Sequence, residues 1–255
     1  GLNKDTAVKK RPSRKYRRKP CNLLKEYNRR KLNNVWLETH IWHAKRFRMS
    51  NLWGYRIPFT TNDKRYRASY KAVRSHCMLQ DMSYYGCIEI SGPIEILRKA
   101  FSRIVAKEVK PSITAQCYIN GAREGTTDFF KIDAYPYGAI ANVNFLWKSH
   151  DENNDKKSLW IFTHPAAYRD ILNELICLFN VKSSTDVKSN LMVRNPTYEN
   201  EDVSIVELKD TLNRFRLTGS LVNFVLAKAL KATSNCEKSW LQDLFKENDF
   251  YRKSH

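Results

Sequence analysis

SYYGCIEISGPIEILRKAFSRIV, residues 83–105, sets the architecture. SYYGCIEIS (83–91) reads as a strand. PIEILRKAFSRIV (93–105) has Pro at its first turn and helical apolar spacing, so a helix follows. Downstream, strands are predicted at 113–119, 128–134 and 139–147, and SHDENNDKKS (149–158) is a polar surface loop. SLWIFTHP adds a strand, 166–179 a helix, 180–202 a polar linker, 203–208 a strand, and 220–233 and 238–245 two final helices. Strands of this kind mixed with helices predict an α+β protein, with a mixed and mainly antiparallel sheet under packed helices.

Upstream of that stretch the chain changes character. Residues 64–79 predict a helix with a basic face, and NLWGYRIPFTTND (51–63) reads as a loop. VWLETHIWHAKRFRM (35–49) predicts a helix capped by Asn33 or Asn34, with Glu38 in its first turn. Trp36, His40, His43 and Phe47 would share one face of it, beside a stripe of Leu37, Ile41 and Ala44. Residues 1–34, with KKRPSRKYRRKP and NRRK, cannot bury enough apolar surface to fold alone. They read as an extended basic arm with a short helix over 22–31. The expected organisation is therefore an arm (1–34), a basic aromatic helical junction block (35–80) and a globular body (81–255).

The charge follows the same division. The 255 residues carry a formal net charge of +19. Residues 1–80 hold 22 Lys/Arg against 4 Asp/Glu, and the rest hold 23 against 22. No run of about 18 apolar residues marks a membrane span, and no apolar stretch near the start marks a secretory signal. The six Cys are scattered, which fits reduced thiols in a cytosolic or nuclear protein. The chain starts at Gly1 without Met, which reads as a fragment.

Polyphosphate is the partner that such a charge excess suits. Lys and Arg release condensed counterions when they meet phosphates, and about 6–10 contacts would cost roughly 10³–10⁵-fold in affinity between 50 and 200 mM salt. In the arm and the short helix the candidates are Arg11, Arg14, Lys15, Arg17, Arg18, Lys19, Arg29, Arg30 and Lys31. Aromatics and cations interleave through residues 36–70, the pattern that holds unpaired or folded RNA: bases stack on rings and guanidinium planes while cations hold the backbone. Candidates there are Trp36, His40, Trp42, His43, Lys45, Arg46, Arg48, Trp53, Tyr55, Arg56, Lys64, Arg65, Arg67 and Tyr70, with Arg74 just beyond. Trp36, Trp42 and Phe47 suit a core equally well, and His40 and His43 suit backbone-bonded core histidines. His-x-x-His lacks the further ligands that zinc needs, so no metal site is expected.

VWLETHIWHAKRFRM, WGYRIPF, RYRASYKA and LQDMSYYGCIEISG together resemble the largest protein subunit of eukaryotic ribonuclease P and ribonuclease MRP. RRKPCNLLKEYNRRK, FLWKS, LWIFTHP and RFRLTG fit the same family, and the resemblance is to its N-terminal region. It implies a scaffold for a catalytic RNA rather than a catalyst. It implies no cofactor on this chain, with magnesium on the RNA. Implied partners are that RNA, other subunits including the small Alba-like pair, and precursor transfer RNA indirectly, with no membrane. The implied work is leader removal from transfer RNA precursors and cleavage of precursor ribosomal RNA, in the nucleus and nucleolus. A body like the aminomethyltransferase fold of the glycine-cleavage T-protein is implied as well.

Two other readings stay open from the residues. One is a protein-interaction module with a nucleolar targeting tail, in which Arg214 and Arg216 meet RNA, an acidic partner or a helix end. The other is a stand-alone nuclease or folate-dependent transferase. A nuclease needs clustered carboxylates or a His pair, whereas Asp81, Glu89, Glu95, Asp128 and Asp133 are dispersed along the sequence.

Overall fold

The computed structural model describes residues 22–44, 46–106, 108, 111–149, 155–184, 195–209 and 211–230. The chain divides into two units, Gly1–Arg67 and Ala68–His255.

The described part of the first unit begins with α1 (Leu23–Arg30), where the Asn22 side chain accepts from the Lys25 amide at 2.9 Å. This N-cap satisfies one of the free amides of the first turn. The long helix expected over 35–49 is not there. Only α2 (Glu38–His43) is helical, behind Leu37, which gives no side-chain cap. Backbone pairing on both sides overrides the 3.6-residue spacing. Val35 forms a parallel bridge with Tyr55, and Phe47–Leu52 is strand β1, paired antiparallel with β2 (Tyr55–Thr61). The expected loop 51–63 is thus largely the second half of a hairpin. Its two-residue turn is Trp53–Gly54, with φ of 52° and 81°, the left-handed pair that tight hairpins require. Pro58 lies opposite Met49, next to a bulge at Arg48/Met49 where its missing N–H is tolerated. The junction block is therefore not wholly helical.

Helix α3 spans Asp63–Ser75. In the second unit it leads to β3 (Met78–Asp81), then β4 (Gly86–Pro93), α4 (Ile94–Phe101), α5 (Gln116–Ile119), β5 (Glu124–Phe130), β6 (Ala139–Trp147), β7 (Lys156–Thr163) and α6 (Tyr168–Phe179). Short strands β8 (Lys182–Ser183), β9 (Thr197–Glu199), β10 (Ser204–Glu207) and β11 (Phe215–Thr218) precede α7 (Val222–Ala229). Seven strands form one antiparallel sheet in the order β5-β6-β7-β4-β10-β9-β8, and β11 pairs with β3 in a separate ribbon. The α+β expectation holds. The helix expected over 238–245 lies outside the described residues.

Period-two alternation builds the core. Ile88 and Ile90 of β4, Leu159 and Ile161 of β7, and Val143, Phe145 and Trp147 of β6 are almost fully buried. Leu97 and Phe101 of α4 join them, as do Tyr168, Ile171, Leu172, Leu175, Leu178 and Phe179 of α6. Each fully buried side chain of this size is worth about 1.5–3 kcal/mol.

Three expectations fail here for local reasons. The 113–119 segment is not a strand: the Ile113 carbonyl accepts the Trp147 indole N–H at 2.9 Å, and α5 then buries Ile119. The strand expected at 128–134 lies instead at 124–130, where Gly125 lets the backbone pass the Phe145 ring, 2.3 Å from where a Cβ would stand. The 180–202 linker supplies β8 and β9. Asn200 makes that possible by accepting from the Asp202 and Val203 amides while its Nδ2 donates to the Phe179 carbonyl. Among the described residues no helix is long and apolar enough to cross a membrane.

Candidate nucleic-acid interface

The first unit sorts its aromatic and basic residues into buried and displayed sets. His40 is 1% exposed and Tyr55 2%, and with Ile57 they form the unit's small core. His40 Nδ1 lies 3.3 Å from the Arg56 carbonyl, and His43 Nδ1 lies 2.8 Å from the Thr39 carbonyl. A carbonyl only accepts, so both ring nitrogens donate. The His40, His43 and Phe47 rings follow one another at 5.7 and 5.0 Å between centroids. The shared face read from the sequence survives in part, but as packing. His40 and Tyr55 are corrected from the candidate set: no base can reach a side chain closed on all sides.

Other candidates are engaged within the unit. Arg29 and Arg30 both bond Glu26, at 2.6 and 2.7 Å, and the Arg30 guanidinium lies 4.9 Å from the centre of the half-buried Trp36 ring. The hydrogen bond from Arg29 is the largest cause that holds the Glu26 carboxyl down to about 2. Lys31 stands 5.8 Å over the Tyr27 ring. Arg56 donates to Asn51 Oδ1 at 2.7 Å. Arg48 is exposed, 3.9 Å from Asp63.

The displayed set begins with Trp42, 56% exposed. The Arg46 guanidinium stacks on its ring at 3.6 Å and donates to the Trp42 carbonyl at 2.9 Å. A flat cation held on an indole is a surface on which a base can extend the stack. Trp53, at the hairpin turn, is 40% exposed.

Helix α3 is the most one-sided element. DKRYRASYKAVRS holds five cations and one acid, and none of its residues is buried. Ser69 and Ala72 are its half-buried positions, whereas Lys64, Arg65, Arg67, Tyr70 and Arg74 are all exposed. Tyr66 and Lys71, which are not among those candidates, are displayed beside them. The helical spacing 66, 70, 74 and 67, 71 was the signal that finds them. Arg11, Arg14, Lys15, Arg17, Arg18, Lys19 and Lys45 lie outside the described residues.

In the second unit Arg214 is spoken for. Its guanidinium lies 4.4 Å from the Phe162 ring centre and pairs with Glu124 at 3.0 Å, next to a strand rather than at a helix end. The five scattered acids have separate partners: Ser83 for Asp81, Lys148 and Trp160 for Glu89, Arg98 for Glu95, Asn142 for Asp128 and Arg103 for Asp133.

Residues 2–93 match the family described as ribonucleases P/MRP protein subunit POP1, N-terminal. The chain is also 31% identical over 252 residues to the ribonucleases P/MRP protein subunit POP1 of Homo sapiens, covering 78% of this chain and 25% of that protein. The chain is a relative of POP1. The Caenorhabditis elegans subunit popl-1 is 28% identical over 216 residues, covering 83% of this chain and 26% of its own length. The Schizosaccharomyces pombe subunit pop1 is 32% identical over 157 residues, covering 57% and 22%. The chain spans about a quarter of the length of the curated POP1 relatives it matches. Among solved structures, the glycine cleavage system aminomethyltransferase T from Bartonella henselae superposes with a TM-score of 0.50 at 16% identity, covering 79% of this chain and 45% of that one. That likeness is one of fold, and it is the fold the resemblance implied.

Proposed function

We propose that this chain is an RNA-contacting scaffold part of ribonuclease P and ribonuclease MRP. It braces the catalytic RNA and helps to hold other subunits, the Alba-like pair among them. It does not perform the cleavage; the RNA and its magnesium ions do, and precursor transfer RNA is met only indirectly. The site of action is the nucleus and nucleolus. The observation that carries the proposal is α3: five cations and two tyrosines displayed on a helix without a buried residue, inside the stretch that matches POP1. A helix that served only the fold would bury a stripe.

The test is a salt series. Replacing Lys64, Arg67, Lys71 and Arg74 by Ala should flatten the slope of log affinity against log salt by about 0.7–0.9 for each phosphate that is no longer neutralised. Binding to ribonuclease P RNA with an unchanged slope overturns the assignment of α3.

A further inference from the structure

The cations of α3 explain affinity for phosphate, but they leave its tyrosines unexplained. Tyr66 is 70% exposed and Tyr70 57%. They stand one turn apart on one face of the helix, about 6 Å apart along its axis. Arg67 and Arg74, seven residues apart, form one stripe along one edge of that face, and both are exposed. Of the half-buried positions, Ala72 lies on the opposite side of the helix, whereas Ser69 borders the tyrosine face. The face of a tyrosine ring gains nothing from a phosphate, which only the hydroxyl can meet, whereas it gains a full stacking contact from a base that is free to lie on it. Bases inside a duplex are already stacked on one another, and A-form RNA shows proteins chiefly its phosphates and 2′-hydroxyls.

Resting on the reading of α3 as an RNA-binding element, we infer that it is a platform for unpaired RNA. Two bases of a single-stranded segment lie on Tyr66 and Tyr70, and Arg67 and Arg74 hold the adjoining phosphates. The helix therefore selects loops, bulges and single-stranded joints over duplex.

The test uses the full 255-residue chain and two probes, a 12-nucleotide oligouridylate and a 12-base-pair RNA duplex. Three variants are compared: Y66L/Y70L, which keeps apolar bulk but removes the flat rings; Y66F/Y70F, which keeps the rings; and R67A/R74A. The Leu pair should lose roughly 5- to 150-fold on oligouridylate for each base that no longer stacks. Its duplex affinity and salt slope should stay unchanged, and the Phe pair should bind like the parent. A Leu pair that binds oligouridylate as tightly as the parent overturns the inference, as does equal loss on both probes. If R67A/R74A also leaves both probes unaffected, the failure belongs to the underlying reading that α3 contacts RNA at all. Since α3 buries none of its residues, a parental melting transition is expected in all three variants.

Discussion

Trp42→Ala separates display from packing in the first unit. The ring is 56% exposed, stacked by Arg46 at 3.6 Å and met edge-on by His43 at 5.1 Å. Its removal forfeits an exposed cation–π contact of about 0.5–1 kcal/mol and opens little core. For a chain of 255 residues, about 1 kcal/mol shifts Tm by roughly 2–4 °C, so the melting transition should survive, slightly lowered. RNA affinity should respond more strongly. Removing a base–aromatic stack costs about 1–3 kcal/mol, which is roughly 5- to 150-fold in Kd. Near-ultraviolet circular dichroism on heating and filter binding to ribonuclease P RNA give the two readouts. His40→Ala is the contrasting variant. His40 is 1% exposed and bonded to the Arg56 carbonyl, so its loss should damage the transition itself. If Trp42→Ala leaves RNA affinity at the parental value, the stacking argument is refuted. If it abolishes the cooperative transition, the ring is structural and the division into buried and displayed sets is wrong.

Two further outcomes test the structure. Gly86→Ala would place a Cβ 2.0 Å from Cδ2 of Tyr168, whose ring is buried and tethered through its hydroxyl to Glu207 at 2.8 Å. The expected cost is about 1–3 kcal/mol, read as a lower urea midpoint at unchanged m, and an unchanged midpoint contradicts the packing. Helix α1 should weaken in acid. Glu26 has its carboxyl lowered from 4.5 to about 2 by its arginine bonds, so its contribution is present above about 4.5 and is lost as pH falls through about 2. Amide signals of residues 23–30 followed by NMR should show this loss, and Glu26→Gln should remove the pH dependence.

The parts of the fold that were legible are those in which one periodicity stands alone. Residues 139–147 alternate cleanly and are β6, and the apolar spacing of 166–179 gives α6 within two residues. The hairpin was hidden because Trp36, His40, His43 and Phe47 fit a helical spacing that the structure keeps only over Glu38–His43, while Gly54 and Pro58 mark β2 as a loop. What decides there is the long-range pairing of β1 with β2, which spacing does not encode. The candidate interface was legible as a region but not as a surface. Interleaved rings and cations single out residues 36–74, yet composition gives no direction to a side chain. His40 and Tyr55 therefore entered the candidate set although they are core, and Tyr66 and Lys71 stayed out although α3 displays them. Arg46 could be read as a cation but not as the guanidinium that stacks on Trp42.

The most direct measurement is the affinity of this chain for ribonuclease P RNA and for an unrelated structured RNA of equal length, each across 50–200 mM salt. A scaffold with a shaped surface predicts a steep slope for both and clearly tighter binding of the ribonuclease P RNA throughout the series. Equal affinity at every salt concentration would contradict it, and would reduce the basic third of the chain to a tether for any polyphosphate.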